Sequence, residues 1–186
     1  MRIKNLAYLL FLLILVSCVK KTEIIELKNN FQLPENFLLY TNNEAGFKIG
    51  YPNNWEVIEN FMGTNVAFGS PIDDSDEFKE NLNVLGRALQ LKSLTLDQFF
   101  QANKDTLKKQ YPDFNLVSSR DKKLFDKTPA KEIIFTLNVN EMNLKFLQVY
   151  AIKNSHGYVI SFTSTEDSYD KYQNDVENML QSFEII

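Results

Sequence analysis

Few side chains in this chain of 186 residues are suited to chemistry, and they lie far apart. There is one cysteine, Cys18, and one histidine, His156. A Ser-His-Asp relay would have to use His156, yet no serine sits in the Gly-x-Ser-x-Gly elbow that presents a nucleophile. His156 falls in Asn154-Ser155-His156-Gly157 and reads as a solvated turn residue. Asp73, Asp74, Asp76 and Glu77 bring clustered carboxylates of the kind that hold calcium. They lack the Gly and distal Glu of an EF-hand loop, so a solvated acidic turn is the plainer reading. Among 24 acidic residues no glycosidase-type pair stands out, and 6 glycines form no phosphate-cradling loop. We expect a non-enzymatic chain with no catalytic residue, metal or cofactor.

Cys18 has the strongest context. Arg2 and Lys4 precede an unbroken apolar run from Leu6 to Val16, too short for the roughly 20 residues of a spanning helix. Leu15-Val16-Ser17-Cys18 resembles a bacterial lipobox at all four positions. The small Ser17 opens the bond to the peptidase, and the Cys18 thiolate takes up the diacylglyceryl group. The resemblance implies cleavage before Cys18 and acylation of its sulfur and its new amine. The alternatives are an ordinary cleaved signal peptide or an uncleaved anchor. At about 0.8 kcal/mol per buried CH2, two or three acyl chains hold a domain at a membrane stably. We therefore expect a signal peptide over 1–17, a tether over 18–35 and a domain over 36–186. That domain would be lipid-anchored on the extracytoplasmic side of a bacterial envelope. With Cys18 acylated, no thiol remains for a disulfide, a metal or a nucleophile.

Charge excludes other partners. Beyond residue 17 the chain carries 18 basic and 24 acidic residues, a net of −6. Such a domain does not suit nucleic acid, and an anionic bilayer weakly repels it, so membrane contact falls to Cys18.

The elements that would position any site alternate regularly. Phe37 to Thr41 reads as a strand, and Asn42 to Gly46 as a turn. Phe47, Ile49 and Tyr51 share the face of a second strand, and Trp55 to Glu59 and Val66 to Phe68 follow. Leu82 to Leu91 reads as a longer strand. Thr95 and Gln98 form a capping box for a helix ended by Pro112. Asn115 to Phe125, Lys131 to Val139, Leu144 to Ile152 and Tyr158 to Thr163 are strands joined by short turns, an antiparallel meander. A last helix from Ser164 or Thr165 places Tyr169, Tyr172, Val176, Met179, Leu180 and Phe183 on one face, so the two tyrosines read as core rather than pocket lining. Phe183 to Ile186 can end as a short strand. The pattern predicts an α+β domain, an antiparallel sheet with helices on its faces.

Gly46-Phe47-Lys48-Ile49-Gly50-Tyr51-Pro52-Asn53-Asn54-Trp55 resembles the signature that opens PsbP-like domains. Asn81 to Val84, Ser93 to Phe99, Thr128-Pro129-Ala130 and Met179 to Phe183 agree with that family in the same order. The resemblance implies an α-β-α sandwich around a central antiparallel sheet, and a role through docking. It carries no catalytic residue to this chain. The family includes a photosystem II extrinsic subunit and many bacterial lipoproteins; a lipoprotein signal in place of a plastid transit peptide does not imply photosynthesis. The resulting expectation is an envelope lipoprotein that docks another envelope protein as an assembly factor. The alternative is a binding module for a small apolar ligand held between sheet and helix.

Overall fold

The computed structural model describes residues 32–72 and 78–186. Cys18, most of the tether and the acidic stretch Asp73, Asp74, Asp76 and Glu77 lie outside the described residues. Ten strands and two α-helices are assigned among those described: β1 Phe37–Asn42, β2 Phe47–Pro52, β3 Glu56–Glu59, β4 Val66–Gly69, β5 Asn81–Ala88, α1 Leu96–Gln110, β6 Asn115–Lys123, β7 Pro129–Val139, β8 Met142–Lys153, β9 His156–Thr165, α2 Tyr169–Ser182 and β10 Glu184–Ile185. The fold is α+β, and its strand pairings are antiparallel.

Two sheets form where one central sheet was expected. Seven strands run in the order β3-β4-β5-β9-β8-β7-β6, and β1-β2-β10 make a smaller sheet. Along β7, β8 and β9 alternate residues feed two separate cores, because both faces of these strands are covered. Phe100 of α1 packs with Ile133, Phe135, Leu137 and Tyr150 on one face. On the other, Val176, Met179 and Leu180 of α2 join Val149, Ile160 and Phe162, together with Phe47 and Ile49 of the small sheet. Tyr40 and Tyr51 reach across to Phe68 of β4, with ring centroids 5.7 and 4.9 Å apart. One face is thus shared by a helix and a sheet, which departs from a simple helix–sheet–helix sandwich.

The signature residues are structural. Gly46 holds φ at +72°, which a Cβ would strain, and its N–H donates to the Asn42 carbonyl oxygen. Pro52 turns the chain, with the Trp55 N–H donating back to its carbonyl oxygen at 3.0 Å. Trp55 is buried and meets Tyr172 edge-on at 5.8 Å. Gly86 lets the Tyr158 ring pass close by: a Cβ there would stand 2.8 Å from it. The Tyr158 hydroxyl can then donate to the Ala45 carbonyl oxygen at 2.9 Å, tying the two sheets together.

Boundaries shift where pairing overrides local signals. β5 stops at Ala88 rather than Leu91, because its partner β9 begins at His156 opposite Ala88, and beyond it only the Leu89 N–H still finds the Ser155 carbonyl oxygen of the turn. α2 begins at Tyr169, four or five residues after the expected caps, because β9 stays paired with β8 through Leu144 and Thr165. The α1 capping box forms as expected, with the Gln98 N–H donating to Thr95 Oγ1 at 3.2 Å and the Thr95 N–H to Gln98 Oε1 at 3.0 Å. Thr95→Ala should lower stability by about 1 kcal/mol, and Thr95→Ser should restore most of it, as read from urea midpoints. Equal midpoints for all three proteins would show that the cap contributes nothing.

Candidate functional site

The chemically richest place in the described structure is the corner where β6 and β7 meet α2. Its centre is Glu132, whose side chain is 2 % exposed. A buried carboxylate needs cations close by, and β6 supplies two. Arg120 Nε donates to Glu132 Oε1 at 2.6 Å and Lys122 Nζ to Oε2 at 3.0 Å. These reach Glu132 because Arg120 pairs with it across the ladder and Lys122, two residues on, shares the same face. Lys122 Nζ also lies 3.4 Å from Glu177 of α2, so the knot ties helix to sheet edge. Burial alone would raise the Glu132 carboxyl; the bonds from Arg120 and Lys122 outweigh it and hold it below the usual carboxylate range.

Beside this knot lies a cleft of about 210 Å³. Ile134, Leu147, Phe162 and Val176 give it an apolar wall; Lys145, Asp170 and Gln173 stand on the polar side. Lys145 Nζ sits 3.8 Å over the Tyr169 ring, a cation–π contact. Burial, with help from Glu132 and Asp170, pushes the Tyr169 hydroxyl up to about 12, so it stays protonated near neutrality. Among the described residues no Ser, Thr, Cys or His lines the cleft. Its groups suit hydrogen bonding and ion pairing with a bound group rather than covalent attack.

β6 forms one edge of the large sheet, and eight of its nine residues are exposed. Pairing with β7 slips once, between Leu116 and Ser118, and is then regular from Ser118 to Lys123. Asp121 turns to the other face and meets Lys131 Nζ at 2.8 Å. At the far end of the β6–β7 turn, Asp126 accepts from Lys153 Nζ at 2.6 Å and from the Thr128 backbone and hydroxyl. Burial would raise the Asp126 carboxyl, and these bonds hold it low instead. Lys153 Nζ also donates to the Ile185 carbonyl oxygen at 2.7 Å, clamping the turn to the C-terminal strand.

The residues singled out from sequence fall elsewhere or outside. His156 opens β9, with Nδ1 3.1 Å from the Asn154 carbonyl oxygen; among the described residues no serine or carboxylate bonds to it. Tyr172 is core, as expected from its spacing, whereas Tyr169 is both core and cleft wall. Cys18 and the acidic stretch lie outside the described residues. Among the described residues no three Cys, His, Asp or Glu side chains group as a metal site, and no helix is long and apolar enough to cross a membrane. Spacing does not single out Glu132, because Ile133, Phe135, Leu137 and Val139 mark the opposite face of β7. The signal was there: Ala130 and Ile134 flank Glu132 on its own face, so that face is covered too, and a covered charge must be paired.

Comparison with known proteins gives a consistent family. The family model for PsbP matches residues 35–185. No curated protein matches the chain in sequence. Cyanobacterial PsbP from Synechocystis, a solution structure, is similar with a TM-score of 0.62 at 16 % identity, over 81 % of this chain and 93 % of that one. LpqN of Mycobacterium tuberculosis, described as involved in cell envelope biogenesis, is similar with a TM-score of 0.63 at 9 % identity, over 79 % and 88 %. A protein of unknown function from Pseudomonas aeruginosa, PA94, has a TM-score of 0.57 at 14 % identity, over 79 % and 95 %. At these identities the structural matches speak for the fold alone. The family model, which spans most of the chain and every described strand and helix of the two sheets, is decisive: the chain belongs to the PsbP family.

Proposed function

We propose that this chain is an envelope lipoprotein, anchored through acylated Cys18 on the extracytoplasmic side of a bacterial membrane. Its PsbP domain acts without catalysis, as a docking or assembly factor for another envelope protein. The observation that carries this reading is the filled interior. Phe47, Phe68, Phe135, Phe162 and Phe183 are at most 1 % exposed, and ring contacts such as Phe47–Phe183 and Phe135–Phe146, with centroids 5.5 and 4.9 Å apart, occupy the space an apolar ligand would need. Recognition then falls to the surface and to the cleft beside Glu132, whose apolar wall is faced by Arg120, Lys145, Asp170 and Gln173, which favours docking of a polar segment over the reading as an apolar-ligand carrier. The lipobox-like stretch supports the anchor, and the envelope role described for LpqN, which shares the fold, supports the compartment.

The test is crosslinking of the anchored protein in its own cells, with affinity purification from membranes, beside Cys18→Ala. We expect one protein captured by the wild type and lost with Cys18→Ala, which leaves the membrane fraction. A membrane-bound wild type that captures nothing specific overturns the docking role. A Cys18→Ala variant that still fractionates with membranes overturns the anchor.

A further inference from the structure

We propose that β6 is the docking edge, and that it takes an extended, acidic segment of the partner protein as an added strand. This rests on the docking role proposed above and names the surface and the partner's chemistry. Two features of β6 point there. First, it is an open edge. Ser118 to Lys123 keep a regular ladder with β7 on one side, and in the described structure no strand pairs on the other. Six residues of strand span about 20 Å, enough for main-chain pairing with an extended peptide. The opposite edge, β3, has only four residues.

Second, the edge keeps exposed cations on an acidic protein. Glu132 and Glu177 take up Lys122, but Arg120 and Lys123 reach the surface beside a single edge carboxylate, Asp121, which Lys131 already pairs, in a chain whose net charge is −4. Arg120 lines the α2 cleft and remains 65 % exposed while its Nε is bonded to Glu132. An incoming acidic side chain on that face meets the Arg120 guanidinium at the mouth of the cleft.

The same charges turn away a second copy of this chain. A two-fold antiparallel pair sets one residue opposite itself. Centred on Arg120 it opposes two guanidiniums; centred on Asp121 it opposes two carboxylates and sets Arg120 against Lys122; centred on Lys122 it opposes two ammoniums, which its two Lys123–Asp121 pairs offset only in part. Centred on Ser119 it runs the register slip at Val117 into Asp121. Lysines and a slipped register are how an edge avoids its own kind. Neither prevents pairing with an acidic strand.

The experiment places a photo-crosslinking benzoylphenylalanine at Ser119 of the full anchored chain in its own cells, with control chains carrying it at Glu59 on β3 and at Gln101 on α1. The captured peptides are then sequenced. We expect capture at Ser119, mapped to a partner stretch rich in Asp and Glu. Adding Lys123→Glu should cut that capture about tenfold, and adding Asp121→Lys should raise it severalfold. Both side chains are exposed, so the fold should tolerate either change, and circular dichroism checks that it does. Capture of a stretch without acidic residues, of lipid or of a second copy overturns the proposal, as does capture insensitive to both charge changes. Capture confined to Glu59 or Gln101 overturns the β6 assignment and leaves the docking role standing. No capture from any position overturns both.

Discussion

Phe47→Ala is expected to lower the free energy of unfolding by about 3–5 kcal/mol, the usual cost of deleting a fully buried phenylalanine ring. Phe47 is 0 % exposed. Its ring stacks on Phe183 at 5.5 Å and 28° and lies 6.2 Å from Tyr40. Phe47 also sits opposite both Asn42 of β1 and Ile185 of β10, so it is the position on which the three strands of the small sheet converge. The residue that follows α2, Phe183, therefore closes on the second residue of the family signature. For a chain of this size the loss corresponds to roughly 6–20 °C in Tm. Phe47→Leu keeps most of the apolar volume and should cost less than about 1.5 kcal/mol. Leu38→Ala, on the same sheet but 49 % exposed, should stay within about 0.5 kcal/mol. The measurement is urea unfolding followed by tryptophan fluorescence, since buried Trp55 reports on the same core. A Phe47→Ala cost near that of Leu38→Ala would mean that the small sheet is not joined to the main core.

That contact shows where sequence reading works and where it stops. Alternation over Phe47, Ile49 and Tyr51, and the helical spacing of Tyr172, Val176 and Met179, are local signals, and the structure repeats them. A short strand at the C-terminus was legible as well. Its partner was not: Ile185 pairs with Phe47 across most of the chain, and nothing in a two-residue strand encodes that choice. Without it the small sheet could not be foreseen, and a single central sheet was the natural expectation. The candidate docking edge was half legible. Ser118 to Lys123 is polar on both faces, as befits a strand with little to bury, and such strands belong at edges. Which residues Arg120 and Lys122 would meet depended on the strand order, and the strand order depends on contacts far apart in sequence.

The Glu132 knot should show itself in acid. The Glu132 and Asp126 carboxyls are both held below the usual range, so the folded protein keeps them ionised more readily than the unfolded chain does. Their contribution to stability is complete above the unfolded values, about 4.3 for Glu and 3.9 for Asp, and is lost as pH falls through the lower folded values. Glu132→Gln keeps the shape and removes the charge. At pH 7 it should cost about 2–3 kcal/mol, because Lys122, with its side chain only 15 % exposed, keeps a weaker partner in Glu177. Arg120 can swing into water, which brings the cost below the roughly 3–5 kcal/mol that breaking a buried pair exacts. At pH 3 the unfolded chain's carboxyl, below its ordinary value of about 4.3, has taken up its proton while the folded one resists, so the wild type loses stability, the gap between the two proteins narrows and the variant's stability falls less steeply with acid. Asp126 titrates in both proteins and cancels from the difference. A gap of the same size at pH 7 and pH 3 would show that Glu132 acts through packing and hydrogen-bond shape alone. It would also remove the reason for placing two cations on the inner face of β6. Arg120 and Lys122 would then stand there for the incoming strand alone, and Glu132 would be their passive floor.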